Sequence, residues 1–167
     1  DSTLSALRKN LTPHKAFYEL NMIAKKSGAS VVNVGGNMFF EWRPVCDAWI
    51  TDHRFNIRYE YADTPSITIA SDFSTYETID GARFDYNSSR KRGDKVIEEI
   101  RGSAAMDTAT KTGTASYTIP EGLTYNLPSN TLFPMAHTLH AIKMAKDGQK
   151  FFNNIVFDGS DDSGPVE

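Results

Sequence analysis

Two histidines, His137 and His140, and the single cysteine, Cys46, are residues whose side chains could bind a metal or act in catalysis. His137 and His140 are three residues apart in a segment with helical periodicity, so their imidazoles share one face and could begin a metal site. Zinc normally takes three or four protein ligands, and no acidic or cysteine partner follows at a useful spacing. Cys46 lies two residues after Pro44, which favours a turn over the helix start that would activate a thiol. We therefore predict no metal site, and we interpret both histidines as packing or surface residues.

Three clusters of charged residues resemble ligand sites only in part. The segment 158–164 (DGSDDSG) alternates oxygen-bearing side chains as a calcium loop does, but its glycine falls one place late and the sequence ends before a bidentate glutamate. We interpret it as a tight polar turn. Glu98 and Glu99 are adjacent on a predicted strand and face opposite sides, so they cannot act as a paired acid and base. The basic run at 90–92 predicts solvated charges at a hairpin turn, with contact to phosphate or lipid head groups as the alternative.

Motifs for phosphate binding and for nucleophilic catalysis are absent. Gly35-Gly36 lies inside a strand pattern, where it predicts a β-bulge, and no Gly-x-Ser-x-Gly sequence occurs. The formal charge of −3 argues against a nucleic-acid-binding protein, which normally has a basic face. No apolar run approaches the roughly 18–20 residues that span a bilayer. We therefore expect a protein that is not an enzyme, has no cofactor, binds no nucleic acid and is not transmembrane.

The periodicity of the chain predicts the elements that must position these residues. Apolar and polar residues alternate from Ala16 to Ala24 and, more cleanly, from Arg54 to Tyr61, which is typical of strands with one buried face. Weaker copies of this pattern continue as far as Ile119, and each is bounded by turn residues. Parallel strands would need helical crossovers, and these are missing between the segments. The pattern therefore predicts an antiparallel meander.

One segment has the periodicity of a helix. Apolar residues recur on one helical face at Met135, Leu139, Ile142 and Ala145. Pro134 suits the first turn of a helix, and Gly148 suits the residue that follows its end. Residues 134–147 are therefore the one predicted helix, packed against a twisted antiparallel sheet. The segment 151–157 predicts a further strand.

Four sequence blocks occur in an order that is typical of one protein family. LTPHKAFYEL (11–20) matches the pattern L-x-PH-x-A-x-Y-x-L, and VGGNMFFEWRPVCDAW (34–49) is a Gly-containing strand that ends in a cysteine, an acidic step and an aromatic. LPSNTLFPMAHTLHAI (127–142) matches an LP-x-x-TLFP-x-x-H entry into a helix, and FDGSDDS (157–163) contains a DGSD turn. This combination resembles the EipB-like proteins, the envelope-integrity proteins of alphaproteobacteria.

The resemblance implies a fold, a location and a disulfide. EipB-like proteins have a curved antiparallel sheet that forms a β-spiral, or incomplete barrel, with one helix packed against it, so we expect a mainly β fold over a single domain, 1–167. The family is periplasmic and exported, and the first ten residues contain no signal-peptide core, as expected if the leader has been removed. Its members continue beyond the DGSD turn and pair the cysteine at the position of Cys46 with a later one. We therefore expect an incomplete domain whose second cysteine lies outside this chain.

These expectations predict a non-enzymatic periplasmic protein that supports envelope integrity by binding a protein or another envelope component. The binding surface is predicted on the concave side of the sheet, closed by the helix. Its candidate residues, for which core packing is the alternative, are Phe55, Ile57, Tyr59, Phe84, Tyr86, Leu139 and Ile142. The alternative function is a periplasmic lipid or lipoprotein carrier, which would need an apolar cavity. Because an incomplete spiral leaves a strand edge unpaired, we expect a second fragment or a second copy of the chain to cover it.

Overall fold

The computed structural model describes residues 2–107 and 109–167, which form one antiparallel sheet and two helices. The elements in chain order are α1 (Ser2–Asn10), β1 (His14–Asn21), β2 (Val31–Val45), β3 (Ala48–Tyr61), β4 (Ile67–Thr78), β5 (Arg83–Arg92), β6 (Lys95–Met106), β7 (Gly113–Ile119), β8 (Thr124–Leu127) and α2 (Pro134–Lys146).

The eight strands pair in the order in which they occur along the chain, from β1 to β8, and every pair is antiparallel. Each connection is a hairpin, so the sheet is the predicted meander. Within the described residues the pairing does not join β1 to β8, and the curved sheet is therefore open. The predicted fold class, a mainly β incomplete barrel with a helix against the sheet, is confirmed. Neither helix is long and apolar enough to cross a membrane.

Alternation along the strands gives the sheet an inner and an outer face. On β3, Arg54, Asn56 and Arg58 are exposed, whereas the residues between them are half-buried. A strand that points successive side chains to opposite faces requires this pattern. The same alternation extends to the neighbouring strands, because residues that are paired directly across two strands share a face.

The inner face of strands β5 to β8 is covered by tightly packed aromatic rings. Phe84 on β5 and Phe133 before α2 are fully buried and stack with ring centroids 5.1 Å apart. Phe157 meets the Phe84 ring edge-on at 6.3 Å, and Ile100 and Leu127 from β6 and β8 join the same cluster. Strands β5 to β8 therefore hold the main core together with the segments on either side of α2.

Helix α2 is anchored by a carboxylate that belongs to the sheet. The residue before the helix, Phe133, makes no side-chain cap. Instead Glu77 on β4, which is 2% exposed, accepts the backbone N–H groups of Met135 and Ala136 at 2.7 and 2.8 Å. Because Pro134 has no N–H, these are two of the three N–H groups that this helix start leaves without a partner inside the helix. A side chain 58 residues away in sequence thus supplies the cap.

Helix α1 was not predicted from the sequence. It is nine residues long and has no acidic residue in its first turn to interact with the helix dipole. Helices this short are marginal on their own and depend on tertiary packing. Leu7 is buried, and α1 contacts α2. Packing against α2 therefore stabilises this short helix.

Two predictions about local structure are wrong. Gly35-Gly36 does not form a bulge: both residues pair in regular register, and the irregularity of β2 lies between Val31 and Asn33. Gly36 serves close approach instead, because a Cβ there would overlap the carbonyl oxygen of Asn56 on β3. The segment 151–157 is not a strand either. It makes only isolated bridges, through Val156 to Leu132 and Val166, and its Phe157 packs into the main core.

Candidate functional site

The three candidate residues on β3 lie side by side on the inner face of the sheet. Phe55, Ile57 and Tyr59 alternate with exposed polar residues and are each half-buried. Across the sheet, Ile57 is paired with Gly36 on one side and Ile69 on the other. The inner face at β2 to β4 is therefore apolar, but it is not sealed from solvent.

The neighbouring strands extend this region into one patch. His53 on β3 sits between Phe40 on β2 and Phe73 on β4, with ring centroids 4.8 and 6.1 Å away and both rings edge-on. Met38 pairs with Phe55 and continues the patch along β2. We call this region the open apolar surface; it consists of Met38, Phe40, His53, Phe55, Ile57, Tyr59, Ile69 and Phe73, all half-buried.

The imidazole of His53 places no positive charge on this surface at neutral pH. Burial lowers the pKa of His53 below its usual value, and the negative charge of Asp52 opposes this effect only in part. The neutral ring is therefore favoured, which suits a position between aromatic rings. Sequence reasoning missed His53 as a member of the surface. The signal was present, because His53 continues the alternation of Phe55 and Ile57 towards the N-terminus of the strand.

The open apolar surface ends at a basic strip on β5. Arg92 lies directly across from Ile69, and Arg90 lies across from Ser71. Arg90 makes an ion pair of 2.9 Å with Glu98 on β6, and both groups are partly solvated. The basic run at 90–92 thus belongs to the end of a strand, and its two arginines face the same side as the apolar residues.

The other candidate residues lie in a different environment. Phe84 and Tyr86 are 0% and 2% exposed and belong to the main core, where Tyr86 meets Tyr117 and Phe157 at 5.2 and 5.5 Å. On α2, Leu139 is buried and Ile142 is half-buried. The structure therefore brings together the three β3 residues in an accessible surface, and it separates them from Phe84 and Tyr86, whose surroundings are filled.

The two histidines of α2 pack against an aromatic side chain. The rings of His137 and His140 lie 6.2 and 5.6 Å from Phe152, and the Nδ1 atom of His140 is 3.0 Å from the side-chain amide of Asn154. In residues 2–107 and 109–167, no three His, Cys, Asp or Glu side chains come together in a way that could hold a metal ion. These contacts are those of packing residues.

The DGSDDSG segment is a polar turn fastened to the sheet. Asp158 and Asp161 each accept the backbone N–H two residues ahead, at 2.9 and 2.8 Å, so their carboxylates are used inside the turn. The hydroxyl hydrogen bond from Ser163 is the main cause that lowers the pKa of Asp161. The Tyr117 hydroxyl on β7 donates to the Asp161 carbonyl at 2.9 Å. The predicted tight polar turn is confirmed.

Cys46 lies in the short turn between β2 and β3 and is exposed. It is the single cysteine of the chain, so a disulfide within these residues cannot form. The pairing expected from the family resemblance stays a prediction.

Comparison with known proteins places the chain in a family. A family model described as EipB-like matches residues 5–167. The cell envelope integrity protein EipB of Brucella abortus (strain 2308) is 29% identical over 166 residues, which are 99% of this chain and 58% of that protein. A crystal structure of a beta-barrel-like protein of the domain of unknown function DUF1849, also from Brucella abortus, matches with a TM-score of 0.84 at 26% identity.

That structural match covers 92% of this chain and 63% of the crystallised one, so the chain spans less than two thirds of the length of each relative. The family match nevertheless extends over almost all of the residues described above. It includes the open apolar surface, helix α2 and the polar turn. This chain belongs to the EipB-like family.

Proposed function

We propose that this protein supports the integrity of the bacterial cell envelope from the periplasm, by binding a protein or another envelope component and without catalysing a reaction. The name of the Brucella relative, a cell envelope integrity protein, supports the envelope role. The family's exported, periplasmic character supports the location. Binding is favoured over catalysis because His137 and His140 pack against Phe152, and the aspartates of the DGSDDSG segment accept hydrogen bonds inside their own turn.

The observation that carries the proposal is the open apolar surface. Single exposed apolar residues are normal, but a contiguous apolar patch that solvent reaches marks an interaction site. Four of its members are rings that form one cluster, in which Phe40, Phe55 and Phe73 each lie against the imidazole of His53. Aromatic side chains are enriched at interfaces, because they bury a large area for a small loss of conformational freedom.

The test compares the two faces of strand β3. In a strain that lacks the native gene, we would express the variant Phe55→Ser with Ile57→Ser, and the control Asn56→Ser with Arg58→Ser on the opposite face. We expect the inner-face variant to lose resistance to detergent and bile-salt stress while the control restores it. Circular dichroism and periplasmic abundance check that both variants are folded and exported. Full complementation by the folded inner-face variant would contradict the proposal.

A lipid or lipoprotein carrier is the second candidate, and the basic strip on β5 favours it. An amphiphile with an anionic head group could lay its acyl chain on the open apolar surface and its head group against Arg92, which is across from Ile69. Organic-solvent extraction of protein purified from its source, followed by mass spectrometry, tests this directly. A stoichiometric lipid that is lost in Arg92→Ser would support the carrier, and an extract without lipid would argue against it.

A further inference from the structure

Strand β1 forms one edge of the sheet. The backbone groups and side chains along its free edge are complementary to those of a second copy of the same strand. The backbone N–H of Met22 donates to the carbonyl of Val34 at 2.9 Å, in continuation of the β1–β2 register. Hydrogen-bonded and non-bonded pairs alternate in an antiparallel ladder. The even-numbered residues of β1 therefore bond to β2, and the N–H and C=O groups of Lys15, Phe17 and Glu19 point to the free edge.

The side chains of these three residues fit a second copy of the same strand. Phe17 is 70% exposed and lies between Lys15 and Glu19, which have opposite charges. If two β1 strands pair antiparallel about Phe17, each Lys15 stands opposite the Glu19 of the other copy, and the two Phe17 rings face each other. Opposite-charge and aromatic cross-strand pairs both stabilise a sheet.

The register also has natural limits. Continuing it by one bonded pair places Pro13, which has no N–H, opposite Asn21, so the ladder ends there. Within the described part of the chain, the sheet order leaves this side of β1 without a partner strand. An unprotected strand edge with an exposed aromatic is a template for pairing with another chain.

We propose that two copies of this protein associate through antiparallel β1–β1 pairing centred on Phe17, which forms a continuous sheet across the dimer. Six backbone hydrogen bonds, two from each of the three residue pairs, would close the two edges. On the inner face, Tyr18, which is 43% exposed and pairs with Met38, would lie at the junction. The open apolar surfaces of the two copies would then adjoin. This inference does not depend on the envelope role.

A charge exchange tests the pairing. Sedimentation velocity over a range of concentrations should show the wild-type protein passing from the 18.6 kDa chain mass to twice that mass. Lys15→Glu alone and Glu19→Lys alone each put like charges opposite one another at both ends, and we expect roughly tenfold weaker association or more. The double variant Lys15→Glu with Glu19→Lys restores opposite charges and should restore the dimer.

The double variant also controls for local effects on folding. Lys15 lies 3.9 Å from Glu41 on β2, and Lys15→Glu loses this contact in the single and the double variant alike. Recovery in the double variant must therefore come from the pair between copies. Phe17→Thr keeps the strand and should weaken association at the centre of the register.

Hydrogen exchange gives a second readout. The amide of Phe17 should gain protection as concentration rises, whereas the amide of Tyr18, which bonds to β2, should be protected at every concentration. A wild-type protein that stays at the chain mass at millimolar concentration would overturn the proposal. The proposal would also be overturned if all the charge variants associated as strongly as wild type. A Phe17 amide that is already protected in the monomer would overturn it too, because another segment of the same chain would then cover the edge.

Discussion

Replacing Glu77 with glutamine tests how the sheet holds helix α2. The carboxylate is 2% exposed, and its two oxygens accept the N–H groups of Met135 and Ala136 at 2.7 and 2.8 Å. Glutamine has nearly the same shape, but its NH₂ group cannot accept a hydrogen bond, so one helix N–H loses its partner. Both oxygens of the glutamate side chain keep acceptor capacity when the carboxyl group is protonated, so the wild-type contacts persist at low pH. An unpaired buried donor costs about 1–3 kcal/mol. At low pH we expect Glu77→Gln to be less stable than wild type by that amount.

The pH dependence of this difference provides the sharper test. Burial is the largest influence on Glu77 and raises its pKa to about 7, although the two helix N–H groups and the positive charge of Arg8 act in the opposite direction. A carboxyl group with a raised pKa in the folded state favours folding most where it is protonated. Its contribution is therefore full below about pH 4.5 and is lost as the pH rises to about 7. The shift corresponds to about 3 kcal/mol.

Urea unfolding at pH 4, 6 and 8, followed by tryptophan fluorescence, measures these values. Trp42 and Trp49 pack against Met135 at the start of α2 and report on its docking. We expect wild type to lose about 3 kcal/mol relative to Glu77→Gln between pH 4 and pH 8, so that the stability deficit of the variant disappears. Glu99→Gln, which replaces an exposed glutamate, is the matched control and should show no such change.

A difference that does not change with pH would refute this reasoning about Glu77. A change of opposite sign would also refute it, since it would show that the helix N-terminus and Arg8 outweigh burial and hold the carboxylate ionised. Comparing each variant with wild type at the same pH removes the contributions of other acidic groups. Asp80 and Asp161, whose pKa values are lowered by hydrogen bonds, stabilise the fold when ionised, and this contribution is lost only as the pH falls below the ordinary value of 3.8.

Two substitutions with matched controls test the sheet and the core. Gly36→Ala should lower the free energy of unfolding by about 1–3 kcal/mol, because the new Cβ overlaps the Asn56 carbonyl, whereas Gly35→Ala, which has only one atom near at 3.7 Å, should change it by less than about 0.5 kcal/mol. Phe133→Ala should cost about 3–5 kcal/mol because the ring is 1% exposed in the core, whereas Phe151→Ala, at 90% exposure, should cost less than about 0.5 kcal/mol. Urea unfolding at constant pH measures all four values, and equal losses within either pair would contradict the packing described.

Local patterns were sufficient for those parts of the fold that depend on neighbouring residues. The alternation around Phe55 and Ile57 predicted an inner face, and the spacing of Met135 and Leu139 after Pro134 predicted helix α2. The polar turn at 158–164 was predictable for the same reason, because its aspartates bond to backbone groups two residues away. In each case the interaction that decides the structure lies within a few residues.

The sequence did not distinguish which inner-face residues are covered. Phe55 and Phe84 follow the same alternation on neighbouring parts of the sheet, yet Phe55 is half-buried and Phe84 is fully buried. The difference arises because Phe133 and Phe157, which are distant in sequence from both, pack against Phe84. Periodicity identifies the face of a strand, but it does not identify the segment that packs on that face.

Periodicity, turn residues and motif order were enough to predict the mainly β fold, the meander order, the principal helix and the family. Tertiary structure alone decided that α1 is helical, that Glu77 caps α2, and that the candidate residues divide between a filled core and the open apolar surface. The physical reason is that these features depend on contacts between residues far apart in the chain. The free energy of such contacts is set by burial and hydrogen-bond geometry, which exist only after the chain has folded.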